Sequence, residues 1–170
     1  MSLAETIRGN KTRILGRWFQ VALETYPQQS RFLIGKDGDR FANPIGFTLN
    51  DALAEIFDVL MADKEQEALL PALERLVKLR AVQDKSTREQ EEGRPLAFLL
   101  DLKKIVRDVC GVGNGGFTAV SELLALEDRI DQVILRAHEI FYHSRAKLLE
   151  LQVIEMRNKT YMLRKLAGEA

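Results

Sequence analysis

The chain has 170 residues, enough for one domain with one substantial core but not for two. Its 25 basic and 25 acidic residues cancel to a formal charge of zero, so no global positive field recruits nucleic acid or an anionic membrane. The N-terminus mixes charges of both signs without the apolar stretch of a secretory signal, and no run approaches the roughly 20 apolar residues that span a bilayer. A cytoplasmic protein without membrane insertion is expected.

In chain order, the first periodic segment covers about residues 3 to 25, with Ile7, Ile14, Leu15, Trp18, Val21 and Ala22 at helical spacing. Lys11 interrupts that stripe, and Pro27 ends it. A loop of about fifteen residues follows, whose "RFLI" is apolar enough to predict that it packs down on the core. Asn43 before Pro44 marks a helix start: Asn caps free amides, and proline at the first helical position loses no hydrogen bond. Leu49, Leu53, Ile56, Phe57 and Leu60 then define one face of a helix reaching about Met61.

A third helix is predicted over about residues 65 to 84, with Leu69, Leu73, Leu76 and Val77 inward; Pro71 either kinks it or marks its true first turn. The charged connection "KSTREQEEGRP" leads to a fourth helix, about Pro95 to Cys110, with Phe98, Leu99, Leu102, Ile105, Val106 and Val109 on its apolar face. "GVGNGG" breaks the chain at residues 111 to 116. From Phe117 to about Leu166 there is neither proline nor glycine, which predicts one very long helix or two with a bend near "YHSR". No segment alternates strictly as a half-buried strand does, so the expected fold is all-α. It is a single helical bundle, for which globin-like packing is one arrangement, with a core of four helices over residues 1 to 116 and a long C-terminal helix over 117 to 170.

Few motifs carry chemistry. "GVGNGG" follows a helix rather than a strand and lacks a P-loop lysine, so it reads as a helix stop and hinge. His138 and His143 lie five apart, about 140° around a helix, which is poor geometry for one shared metal. The single cysteine, Cys110, excludes an internal disulfide and reads as a small buried hydrophobe. No nucleophile and base pair is recognisably spaced, so no catalytic residue, cofactor residue or metal ligand is assigned and an enzyme is not expected. Residues 145 to 165 carry six basic and two acidic side chains, the pattern of a solvated helix face.

One polar constellation stands out. Arg80 continues the inward stripe of Leu73 and Leu76, and Gln83 and Asp84 follow one turn later, so an apolar face ends in polar groups. Arg80 and Asp84 are spaced to pair, and Asp39 and Arg40, just ahead of Asn43, could meet them across a helix interface. The cluster of Asp39, Arg40, Asn43, Arg80, Gln83 and Asp84 either staples the loop of residues 27 to 42 onto the third helix or forms a ligand or partner site.

"DRFANPIG", "LVKLRAVQD" and "PLAFLLDLKKIVRDV", in that order, resemble the RsbRD-type N-terminal domain, the family of co-antagonists of the RsbT kinase. "LEDRIDQVILRAHEIFYHSRAKLLELQVIEMR" resembles the C-terminal continuation of bacterial relatives, so the likeness runs from about Trp18 to Arg157. The resemblance implies a helical sensory input module of a stressosome-like pathway, here without its own output domain, and a regulatory protein partner such as a kinase or stressosome component. The longer "KSTREQEEGRP" departs from the family's short turn after "RAVQD". Apolar positions on two sides of the last helix, Leu124 and Ile134 as well as Ile130 and Val133, predict a homodimer through it. The alternative reading is a small-ligand or haem-binding helical protein.

Overall fold

The computed structural model describes residues 2–36, 40–62, 66–83, 95–111 and 117–168; for Gln66, residues 81–83 and residues 117–119 it describes the backbone alone. The fold is all-α. Among the described residues there are seven α-helices: α1 (Leu3–Gly9), α2 (Lys11–Glu24), α3 (Gln28–Ile34), α4 (Pro44–Ala62), α5 (Leu70–Gln83), α6 (Phe98–Cys110) and α7 (Phe117–Leu166). Five of them close a ring: α2 packs on α4, α4 on α5, α5 on α7, α7 on α6, and α6 back on α2. The core fills that ring.

Its first part comes from α2, where Ile14, Trp18 and Ala22 recur every four residues and are all essentially inaccessible. Leu49, Leu53, Ile56 and Phe57 of α4, Leu73, Leu76 and Val77 of α5, and Leu99, Leu102 and Val106 of α6 meet them. Trp18 donates its indole Nε1–H to the carbonyl oxygen of Phe98 at 2.8 Å, which satisfies the one polar atom of the largest buried side chain and fixes α6 against α2.

The expected first helix is two. Asn10 departs from helical dihedrals at φ −105° and ψ 12°, and its side chain bonds the carbonyl oxygen of Thr6 at 2.8 Å. Asn competes with the helical backbone in this way. The break makes α1 a separate lid on α6 and α7, started by a reciprocal cap in which Ser2 Oγ accepts from Glu5 N and Glu5 Oε2 accepts from Ser2 N. Hydrogen bonding to Ser2 holds the Glu5 carboxyl below its ordinary value.

The expected loop after Pro27 contains α3, and it packs down less than its composition predicts. Ile34 is buried, but Phe32, Leu33 and Phe41 remain exposed. Pro71 settles as the second residue of α5, just after a 3₁₀ turn over Gln66–Leu69, so it marks a first turn and not a kink. Pro95, Leu96 and Ala97 form the turn that opens α6. That helix ends at Gly111 in the left-handed conformation (φ 63°), with Gly111 N donating to Arg107 O, the stop expected from the start of "GVGNGG". Residues 112–116 lie outside the described residues.

The last helix is continuous over 50 residues, about 75 Å at 1.5 Å per residue. Its first half closes the ring: Leu126, Ile130, Val133 and Ala137 are buried, with Ile134 partly buried beside them. Glu122 accepts from Leu3 N at 2.8 Å, Glu127 takes both donors of the Arg107 fork, and Asp131 pairs with Lys103 at 2.7 Å. Every described residue from Leu149 to Gly168 is exposed.

Two glycines separate close approach from mere flexibility. A Cβ on Gly46 would lie 2.3 Å from the Ile34 carbonyl oxygen and 2.4 Å from Asn43 Nδ2, whereas one on Gly16 would meet nothing within 4 Å. Gly46→Ala is therefore expected to cost about 2 kcal/mol through forced displacement. Gly16→Ala is expected to add about 0.5–1 kcal/mol by stiffening the unfolded chain and favouring the helix. Urea unfolding of both variants checks the contrast; equal shifts of either sign would contradict it.

Candidate functional site

Pro27 prevents α2 from continuing, so the last carbonyl oxygens of that helix need donors from elsewhere. Two arginines supply them. Arg31 of α3 donates from Nε to Tyr26 O at 2.7 Å and from Nη2 to Glu24 O at 2.6 Å. Arg80 of α5 donates from Nη2 to Thr25 O at 3.4 Å and from Nε to Pro95 O at 3.0 Å. Three successive carbonyls at the negative end of the α2 dipole thus face two guanidinium groups.

Arg80 is the one buried charged residue among those described, with 6% of its surface exposed. Its guanidinium carbon sits 4.3 Å from the centroid of the Tyr26 ring, whose electron-rich face is a favourable neighbour for a desolvated cation. The Tyr26 hydroxyl is itself buried, without a hydrogen-bond partner among the described residues. Arg80 therefore joins the end of α2, the body of α5 and the turn that opens α6.

Asn43 does a different job. Its Oδ1 accepts from Gly46 N at 2.9 Å, the N-cap bond of α4. Its Nδ2 donates to the carbonyl oxygens of Ile34 at 2.7 Å and Lys36 at 2.8 Å, which ties the end of α3 to the start of α4. The bare face of Gly46 is what lets the Ile34 carbonyl come so close.

The six residues of the sequence constellation thus divide. Asn43 and Arg80 are both engaged, but with different backbone segments and no shared partner among the described residues. Arg40 is exposed. Gln83 is the last residue of α5, with its backbone alone described, and Asp39 and Asp84 lie outside the described residues. Sequence reasoning missed Arg31; the available signal was a long cationic side chain one turn beyond the proline that stops α2. It also missed that the acceptors are backbone carbonyls.

Elsewhere the described surface offers little organised chemistry. Asp51 and Glu55 of α4 both pair with Arg75, and Asp58 pairs with Lys11, so the acidic face of that helix is neutralised by its neighbours. His138 and His143 are exposed on α7, the former with Nδ1 3.0 Å from Ile134 O. No group of three potential metal ligands occurs among the described residues, nor is any helix long and apolar enough to cross a membrane. Cys110, partly buried at the end of α6, has its thiol pushed above the ordinary value by burial.

What the structure does display is apolar surface on α7. Tyr142, Leu149, Met156 and Leu163 are each more than half exposed, at 72, 56, 65 and 67%. Leu124, from the side expected to seek a partner, is also exposed, whereas Ile134 packs on the core. Comparison with protein-family models, with curated proteins and with solved structures found no match.

Two measurements follow. Arg80→Ala strands two carbonyls and removes the cation from the Tyr26 face, so it is expected to destabilise by about 2–4 kcal/mol in urea unfolding. A change under about half a kcal/mol would show that these bonds contribute nothing net. Cys110 is expected to be alkylated several times more slowly in the native protein than in urea at the same mildly alkaline pH. Its raised pKa leaves less thiolate, and the α6 carbonyl end disfavours the anion further. Equal rates would contradict that.

Proposed function

We propose that this protein is a regulatory, protein-interaction module of the RsbRD type, a cytoplasmic helical input domain with no catalysis of its own. It works as a homodimer through α7 and acts on a regulatory partner, a kinase or a stressosome-like component. The observation that carries this reading is the outer part of α7, where large apolar side chains stand exposed with none of the described elements over them. Monomeric surfaces rarely leave a contiguous apolar stripe of this length uncovered, and such stripes mark association sites. The ordered likeness of "DRFANPIG", "LVKLRAVQD" and "PLAFLLDLKKIVRDV" to the RsbRD type supplies the class of partner.

In such a module the core sets the state and α7 carries it. A signal acts by binding one packing of the ring better than another, and a partner reads the difference through the helix. Light scattering of the purified protein at micromolar concentration is expected to give twice the chain mass of 19.3 kDa; a monomer would remove the dimer from this reading. Co-elution with the RsbT-type kinase or stressosome proteins of the same organism is expected, and its absence for all of them would remove the regulatory partner. Haemin titration distinguishes the cofactor reading: a Soret band would favour it over the interaction module.

A further inference from the structure

The stripe that α7 turns to its own core runs on through the partly buried Ile140 and Phe141, and from Tyr142 a second one opens on another side of the helix. Tyr142, Leu149, Met156 and Leu163 recur every seven residues, and Ala146, Val153, Thr160 and Ala167 each follow four residues after one of them. Alternating steps of four and three are the a and d positions of a two-stranded coiled coil. This seam is two residues out of phase with Leu126, Ile130, Val133 and Ala137, so it lies about 200° around the helix from the core-facing side. All four large members are exposed.

The distribution of sizes selects an orientation. One position of each heptad is always large and the other always small or β-branched. In a parallel dimer like meets like, with Met156 on the partner's Met156 and Ala146 on the partner's Ala146, so bulky layers alternate with underfilled ones. In an antiparallel dimer every layer pairs large with small: Leu163 with the partner's Ala146, Met156 with the partner's Val153, Leu149 with the partner's Thr160, and Tyr142 with the partner's Ala167. Facing large and small side chains fill the inter-helix space evenly.

Charge selects the same orientation. The flanking positions carry Glu150 and Arg157, both exposed, and in the antiparallel register Glu150 meets the partner's Arg157 twice, once on each side of the two-fold axis. The parallel register sets Arg145 beside the partner's Glu150 but also Lys159 beside the partner's Arg164, so there attraction is offset by repulsion. The antiparallel register also sets Ala167, near each helix tip, level with the partner's Tyr142, so the two cores lie at opposite ends of the seam.

We infer that the outer half of α7, from Tyr142 to Ala167, is the seam of an antiparallel coiled-coil homodimer in which Glu150 pairs with the partner's Arg157. This inference rests on the dimer of the proposed function and adds its geometry. The full chain carrying Cys110→Ala and a spin label on Lys165→Cys tests it by pulsed dipolar spectroscopy. Position 165 faces away from the seam, so the antiparallel register predicts a label separation of about 40 Å, from a rise of 1.5 Å per residue along the axis and two outward-pointing labels on helices about 10 Å apart. A separation of about 25–30 Å, which the same outward labels give at equal height in a parallel pair, would overturn the orientation while leaving the dimer. A monomeric mass at tens of micromolar with no dipolar signal would overturn both, and sedimentation of that monomer with anionic vesicles would assign the seam to lipid. Independently, Glu150→Arg is expected to weaken dimerisation about tenfold, and adding Arg157→Glu to restore it. Failure of the second change to rescue would overturn the pairing.

Discussion

The carbonyl end of α2 is the constraint on which the arrangement turns. Pro27 leaves Glu24, Thr25 and Tyr26 with oxygens that the helix cannot satisfy, and burial of Tyr26 keeps water from doing so cheaply. Arg31 and Arg80 answer from two other helices. Because Arg80 also holds Pro95 O, the same guanidinium sets where α6 begins, and one turn away the Trp18 indole bonds Phe98 O. The ends of α2 and α5 and the start of α6 are thereby registered by a handful of directional bonds inside an otherwise apolar ring. Hydrophobic burial makes the ring compact, but it is nearly indifferent to how far one helix slides along another. The directional bonds supply the register.

That placement explains why a cation is tolerated in the core. A buried guanidinium is costly unless its donors find acceptors. Here two carbonyls and an aromatic face surround it, and the helix dipole of α2 adds a negative potential at the same point. The described bonds of Asn43 follow the same logic on a smaller scale, with a side-chain amide serving two carbonyls and one amide at the junction of α3 and α4. Both residues bond backbone, so both act by fixing where chain segments meet.

Much of this was legible in the sequence, and the rest was hidden for identifiable reasons. Helical periodicity predicted α2, α4, α5 and α6 and most of their inward residues, because burial repeats every three or four positions. Asn43 and Pro44 announced the start of α4, and the glycine at 111 announced the end of α6. The break at Asn10 was not legible, because a polar residue on an exposed face looks the same in a continuous helix as in a hinge. Nor were the partners of Arg80: every residue carries a carbonyl, so an arginine bound to backbone leaves no complementary side chain to find. The aspartates that the sequence offers it, Asp39 and Asp84, lie outside the described residues, so the backbone acceptors stand beside that reading. Exposure of Phe32 and Leu33 was missed for the opposite reason, since apolarity signals burial without saying by whom.

In the proposed module, the two faces of α7 link the core to the outer surface. The inner face is held by apolar contacts at Leu126, Ile130, Val133 and Ala137 and by tethers from Glu122 to α1 and from Glu127 and Asp131 to two points of α6. A rearrangement of α5 or α6 therefore changes the energy of α7 in that position. Because the helix continues unbroken past Ala137, a rotation or shift of its inner half moves the outer stripe by the same amount. A coiled-coil seam is sensitive to such motion, since its a and d positions fit a partner in one rotational setting and lose that fit within tens of degrees. In the proposed module, the reach of α7 beyond the core thus converts a small change in helix packing into a change in what the outer surface presents.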